Sequence, residues 1–111
     1  MAVQIGTALL LADEAGTNPV HRAALCDPKF TQTVLTRVFT GRYARALRNR
    51  FIDEYERHAI SGFPEVARMT APIQSAAVRI GDPHGASLWA GAGFRHTKTG
   101  PAAEIVCELA A

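Results

Sequence analysis

The chain begins with Met1-Ala2-Val3-Gln4-Ile5-Gly6-Thr7 and continues into the apolar run Ala8-Leu9-Leu10-Leu11. Its apolar and β-branched residues predict a buried strand that ends near Gly6-Thr7. A buried strand needs neighbours that pair with its backbone amides and carbonyls. The remainder of the sequence offers no obvious full set of such neighbours. The opening stretch therefore predicts the C-terminal end of a larger α/β protein.

The composition restricts the class of protein. A chain of 111 residues with 48% apolar residues can bury the core of one small domain. A net charge of +2 does not by itself indicate a nucleic-acid partner. The apolar run at residues 8–12 is too short to span a membrane, and no basic region precedes it as in a secretory leader. Cys26 and Cys107 lie far apart in the sequence and are expected to be free thiols in a reducing compartment. A cytoplasmic protein with no nucleic-acid or membrane partner is expected.

Beyond residue 12 the sequence predicts mostly helix. Asn18 or Thr17 can cap a helix with Pro19 at its first position. Leu47, Phe51 and Tyr55 repeat every four residues and form one apolar stripe. The predicted helices span residues 19–25, 44–58, 70–80 and 102–109, with a short helical turn at 86–89 and one strand at 31–40, where β-branched residues are frequent.

The residues Gln4, Ile5, Gly6 and Thr7 form the candidate binding site. Backbone amides that follow a strand can hold a phosphate, and a glycine lets the backbone approach the ligand. A threonine hydroxyl adds a donor, and a glutamine side chain can bond the edge of a ring. The alternative interpretation is a buried strand whose glycine permits close packing of a helix. Chemistry alone leaves both interpretations open.

Two other stretches have a functional and a structural interpretation. Several arginines crowd into residues 37–50 and could bind an anion, although Arg45 and Arg48 are also spaced to lie in solvent or to pair with Asp53 and Glu54. The stretch Leu88–Phe94 could cover a flat cofactor, or it could be a turn anchored in the core by Trp89 and Phe94. The four histidines show no metal-binding spacing.

The order and spacing of several stretches resemble one known family, the nitronate monooxygenases. These stretches are Ala2–Thr7, Pro19–Leu25, Leu35–Arg42, Ala46–Phe51, Tyr55-Glu56 and Leu88–Arg95. The resemblance covers nearly all of this chain but only about the last third of the family's length. Each stretch alone is weakly specific, and their combination is specific.

The resemblance implies a flavoenzyme that binds FMN without a covalent bond. It implies oxidation of an alkyl nitronate by O2 to a carbonyl compound and nitrite. The family's barrel is of the TIM (β/α)8 type, so the chain is expected to be its C-terminal fragment, mostly helical with one or two short strands. Residues 1–30 would supply the last barrel strand and the following helix, and residues 31–111 a mostly helical lid region. Gln4, Ile5, Gly6 and Thr7 would contact FMN near its phosphate.

The resemblance also limits what is expected of this chain. The family's catalytic histidine and its other glycine-rich phosphate loop lie upstream, so no catalytic residue is assigned here. Ala92 stands where the family usually has glutamine. Such a barrel needs about 250 residues, so the chain alone is expected to be inactive and to bind FMN weakly or not at all. An exposed strand would favour self-association. A non-enzymatic truncated remnant, or a small α-rich interaction domain, is the alternative.

Overall fold

The computed structural model describes residues 2–111, so the part of the predicted first strand that falls on Met1 lies outside it. The described residues form four α-helices and a two-stranded antiparallel sheet, which agrees with the predicted mostly helical α/β class. In chain order the elements are α1 (Pro19–Cys26), β1 (Thr33–Thr36), β2 (Ala44–Leu47), α2 (Arg50–Tyr55), α3 (Glu65–Ile80) and α4 (Ala102–Ala110). Single 3-10 turns occupy Thr7–Leu9, Glu56–His58, Pro83–Gly85 and Phe94–His96.

Strand β2 is the centre of the molecule. On one side it pairs with β1 in the register Thr33↔Leu47 to Thr36↔Ala44. On the other side an isolated bridge joins Ala46 to Trp89, and the Leu47 amide donates to the Leu88 carbonyl at 2.9 Å. Backbone partners on both sides make β2 an interior strand, with residues 88–90 as its second neighbour.

The predicted helix over residues 44–58 is wrong in its first part. Residues 44–47 form β2, and the helix begins only at Arg50, where the Asn49 side chain accepts from the Ile52 amide at 3.2 Å. Ala46 and Leu47 are completely buried between the two neighbouring chain segments. Their burial and pairing override the helical spacing of the apolar stripe. The predicted turn at residues 86–89 is also wrong, because Trp89 bridges to this strand.

Helix α1 begins as predicted. The Asn18 side chain caps it by accepting from the His21 amide at 2.9 Å, and Pro19 occupies its first turn. The guanidinium of Arg22 holds the preceding loop by donating to the carbonyls of Ala12 at 2.7 Å and Ala15 at 3.0 Å. Helix α1 is thus capped by Asn18, and its Arg22 holds residues 12–17 against it.

Helix α3 begins earlier than predicted. It runs through Pro72 from Glu65, rather than starting at residue 70. The Thr70 hydroxyl donates to the Phe39 carbonyl at 2.5 Å, so this turn is fixed to the sheet side of the molecule. Gly81 ends the helix with φ of 77°, where a left-handed residue lets the following amides return to the last carbonyls.

The predicted strand at the N-terminus does not form in the described residues. Residues 2–5 have no regular structure, Gly6 bends, and Thr7–Leu9 is a 3-10 turn. No chain segment within residues 2–111 pairs with residues 2–6, and a strand exists only through such pairing. Helix α4 is confirmed where predicted, and Ile105 is its buried residue.

Two groups of buried side chains form the core. The larger joins α1 to β2 and to residues 86–94, with Leu25, Leu47 and Leu88 among its members. The smaller surrounds Phe39, which stacks on Phe51 with ring centroids 5.0 Å apart. Within residues 2–111 no helix is both long and apolar enough to cross a bilayer. The cores fix residues 88–91 relative to α1 and β2, which matters for the site.

Candidate functional site

A hydrogen bond joins the N-terminal segment to the glycine-rich loop. The amide of Gly91 donates to the Thr7 hydroxyl oxygen at 2.8 Å, across 84 positions of sequence. A side chain at residue 91 would crowd this contact, because a Cβ built there lies 3.2 Å from the same oxygen. The hydroxyl accepts from Gly91, so its hydrogen is free to donate to a ligand. Thr7 is thereby oriented by a residue far away in the sequence.

The backbone next to Thr7 presents a row of amides. The 3-10 turn begins after Gly6, whose carbonyl accepts from the Leu9 amide at 3.1 Å. The first amides of a helical turn have no partner within the turn. Within residues 2–111 the structure gives no acceptor to the amides of Gly6, Thr7 and Ala8. A Cβ at Gly6 would meet nothing within 4 Å, so the space beside this residue is open.

Arg45 is a lining residue of the cleft beside Thr7. A cleft of about 350 Å³ is lined by Gly6, Thr7, Leu10, Arg45, Trp89, Ala90 and Gly91. The Arg45 guanidinium donates to the Thr33 hydroxyl at 3.2 Å, and this side chain is exposed. Backbone amides and a hydroxyl, two classes of group that bind phosphate, therefore meet at one cleft that Arg45 also lines.

Other arginines of the cluster are occupied elsewhere. Arg48 pairs with Asp53 at 2.6 Å, as the structural interpretation of the cluster predicts. The guanidinium of Arg37 donates to the Ala59 carbonyl at 3.2 Å, and that of Arg42 lies 3.9 Å from the ring centre of Phe63. The cluster is dispersed over several partners, and Arg45 is its member at the cleft.

Gln4 and Ile5 lie beside the cleft rather than inside it. Both are exposed, and the side chain of Ile5 is 41% accessible. With Gly6 and Thr7 they line a second cleft of about 300 Å³ that Gly93, His96 and Thr97 close on the far side. The Gln4 side chain has no hydrogen bond within residues 2–111. All four predicted site residues therefore line this second cleft, and Gly6 and Thr7 also line the cleft that contains Gly91.

The glycine-rich loop is anchored in the core. Phe94 is buried, and Trp89 meets Phe39 edge-on with ring centroids 5.7 Å apart. Behind Trp89, the imidazole of His21 donates from Nε2 to the Trp89 carbonyl at 2.9 Å. Burial lowers the pKa of His21 below 6.5, and the bond to Trp89 opposes this only in part. His21 is thus a neutral donor that supports the loop.

Gly91, Arg45 and His21 were not among the predicted site residues. The sequence singles out the glycine-rich loop and the arginine cluster, but the place of Gly91 and Arg45 beside Thr7 depends on β2 being a strand. The helix predicted over residue 45 places Arg45 on a different element. No signal in the sequence distinguishes His21 from the other histidines, since its role comes from burial. Within residues 2–111 no group of His, Cys, Asp and Glu is arranged to hold a metal ion.

Comparison with known proteins gives a consistent result. The nitronate monooxygenase profile matches residues 1–111. A probable nitronate monooxygenase of Staphylococcus aureus strain MSSA476 is 36% identical over 109 residues, which is 96% of this chain and 31% of the relative. Its counterpart in strain COL is 35% identical with the same coverage. A solved structure of nitroalkane oxidase from Streptomyces ansochromogenes shares 47% identity with a TM-score of 0.95, over 98% of this chain and 32% of that one.

The chain belongs to the nitronate monooxygenase family, as its sequence resemblance predicts. The family is one of oxidoreductases. The chain spans about a third of the length of the relatives that it matches.

Proposed function

We propose that this chain is the C-terminal part of an FMN-dependent nitronate monooxygenase and contributes to the FMN phosphate site. The full enzyme would oxidise alkyl nitronates with O2 to a carbonyl compound and nitrite, in the cytoplasm. Its TIM-type barrel would take its last strand and following helix from residues 1–30, and its lid region from residues 31–111. FMN supplies the electron transfer chemistry when it is bound.

The observation that carries the proposal is the arrangement around Thr7. The free amides of Gly6, Thr7 and Ala8 point from the start of a 3-10 turn, and the Gly91 amide fixes the Thr7 hydroxyl as a donor. Amides of this kind stabilise a phosphate dianion. Arg45 lines the same cleft, and its exposed guanidinium would add its charge by turning from Thr33 towards the phosphate. These residues fit a phosphate group.

The roles of the predicted residues follow from this arrangement. Gly6 and Thr7 hold the phosphate. Ile5 lines an apolar cleft together with Leu109 of α4. Gln4 stays available to bond the edge of a ring. We assign no catalytic residue to this chain, so the chain alone is expected to form no nitrite.

A chimera tests the proposal directly. The matched third of the Streptomyces nitroalkane oxidase is replaced by this chain, and flavin absorbance and nitrite release from a nitronate are measured. We expect a yellow, active chimera. In it, Thr7→Val is expected to weaken FMN binding about tenfold or more, because a hydrogen bond to a charged group is lost.

The control variant is Thr40→Val. The Thr40 hydroxyl bonds only the neighbouring Arg42 backbone, so its loss should leave FMN binding unchanged. A folded chimera without flavin would contradict the proposal and favour the alternative, a non-enzymatic remnant or a small α-rich interaction domain. Equal effects of Thr7→Val and Thr40→Val would contradict the assignment of Thr7 to the phosphate.

A further inference from the structure

A continuous chain of contacts leads from helix α1 to the candidate phosphate site. The Asn18 cap fixes the first turn of α1, and His21 follows in that turn. The His21 imidazole bonds the Trp89 carbonyl, and two residues later the Gly91 amide bonds the Thr7 hydroxyl. Each link is a hydrogen bond of 2.8 to 2.9 Å.

We infer that His21 is a positioning residue of the phosphate site, which acts through Trp89 and Gly91 on the Thr7 hydroxyl. The inference rests on the proposed function in so far as the site binds phosphate. It assigns to His21 a role that requires no contact with the ligand.

Burial makes His21 suited to this role. The residue is only 7% exposed, although histidine is polar and costs free energy to bury without a partner. Its Nε2 donates to a carbonyl, which fixes the tautomer and the plane of the ring. The lowered pKa keeps the ring neutral near neutral pH, so burial adds no unpaired charge.

Residues 88–90, which His21 contacts, are held on one edge by β2 and at the Trp89 carbonyl by the imidazole. Trp89 is bridged to Ala46, and the Ala90 amide donates to the Arg45 carbonyl at 3.2 Å, so β2 fixes one edge of residues 88–90. The Trp89 carbonyl bonds His21 instead. Without the imidazole, the peptide between Trp89 and Ala90 is held only by the bond from its Ala90 amide to β2. We expect this weaker hold to loosen the Gly91 amide against Thr7.

Amide hydrogen exchange of the 111-residue chain tests the inference without any ligand. In His21→Leu, we expect exchange of the Gly91 amide to become about tenfold faster, the change that corresponds to losing one hydrogen bond. In His21→Gln, whose side-chain amide can donate to the same carbonyl, we expect exchange within about threefold of the original chain.

A matched control separates positioning from general destabilisation. Thr70→Val removes another buried hydrogen bond, on α3, and should lower stability without selectively accelerating exchange at Gly91. Unchanged exchange at Gly91 in His21→Leu would overturn the inference. So would exchange at Gly91 in His21→Gln that is as fast as in His21→Leu, when the unfolding midpoint of His21→Gln matches that of the original chain.

A titration with FMN and with inorganic phosphate then links the residue to the ligand. We expect the amide resonances of Gly6, Thr7 and Ala8 to shift in the chimera, because the isolated chain is expected to bind FMN weakly or not at all. His21→Leu should weaken this response about tenfold, and should weaken it no further when Thr7→Val is already present, because the two act through one contact. Additive losses would overturn the inference. Absence of any shift in the chimera would instead overturn the proposed phosphate site, and the exchange result would remain independent of it.

Discussion

Apolar side chains are buried in the interior of the chain and partly or fully exposed in its N-terminal segment, residues 2–10. Leu47 and Leu88 are 0% exposed in the interior, whereas Val3 is 79% and Ile5 41% exposed. The interior residues find partners on β1, β2 and α1. The N-terminal segment contacts the rest of the described chain through Thr7, through α4 and through the 3-10 turn at Phe94–His96. Burial in this molecule therefore follows from partners that the chain itself supplies, and not from hydrophobicity alone.

The largest difference in stability between variants of the two regions is expected at their glycines. Gly41 has φ of 89°, and a Cβ there would lie 2.6 Å from the Gly62 carbonyl carbon. Gly41→Ala should therefore lower the free energy of unfolding by about 4 kcal/mol, near the upper end for single substitutions. Gly6 has φ of −83° and open space around it, so Gly6→Ala should change stability by less than about 1 kcal/mol. Urea unfolding followed by circular dichroism measures both, and equal losses would contradict the comparison.

Core truncation gives the next largest contrast. Leu88→Ala removes a fully buried side chain and should cost about 3 kcal/mol through lost burial and the cavity left behind. Val3→Ala removes a side chain that is 79% exposed and should cost less than about 0.5 kcal/mol. The same unfolding experiment measures both variants. A large loss in Val3→Ala would show that the N-terminal segment is packed against the interior after all.

The sequence predicts well those elements whose signals are local. Asn18 and Pro19 mark the start of α1, and the apolar residues after Pro101 mark α4. Both helices form where expected because a cap or a fixed proline φ acts within a few residues. The pairing of Arg48 with Asp53 is equally local.

The sequence predicts secondary structure wrongly where pairing with a segment far away in the chain determines it. Residues 44–47 have helical spacing, yet the pairing of Ala46 with Val34 on β1 and with Trp89 makes them a strand. Residues 2–6 have strand composition and no paired neighbour in the described chain. The contact of Thr7 with Gly91 depends on the same long-range pairing, so Gly6 and Thr7 could be chosen from the sequence but their partners could not. The division of the chain at residues 30 and 31 stays a prediction.

A smaller effect is expected on acidification. Burial lowers the pKa of His21 below 6.5, so the unfolded chain binds its proton more readily than the folded one. The neutral ring contributes its full stability above about pH 6.5, and this contribution is lost as the pH falls from 6.5 towards the lowered pKa. His21→Gln should lack this part of the pH dependence. The difference between the two unfolding midpoints, measured downwards from about pH 7.5, should shrink once the pH falls below 6.5. A constant difference would contradict the role of burial.

The smallest effect is expected where the two regions meet at the cleft. Arg45 is exposed, so its attraction to a phosphate is screened, and Arg45→Ala in the chimera should weaken FMN binding only about threefold, within the range of exposed ion pairs. Arg48→Ala is the matched control, because that guanidinium already pairs with Asp53 at 2.6 Å and should leave FMN binding unchanged. Fluorescence quenching of FMN measures both dissociation constants.

Raising the salt concentration should reduce the Arg45 effect further, since screening weakens an exposed charge more than the amides of Gly6 and Thr7. Equal effects of the two arginines would mean that the general positive charge, and not the position of Arg45 beside Thr7, assists binding.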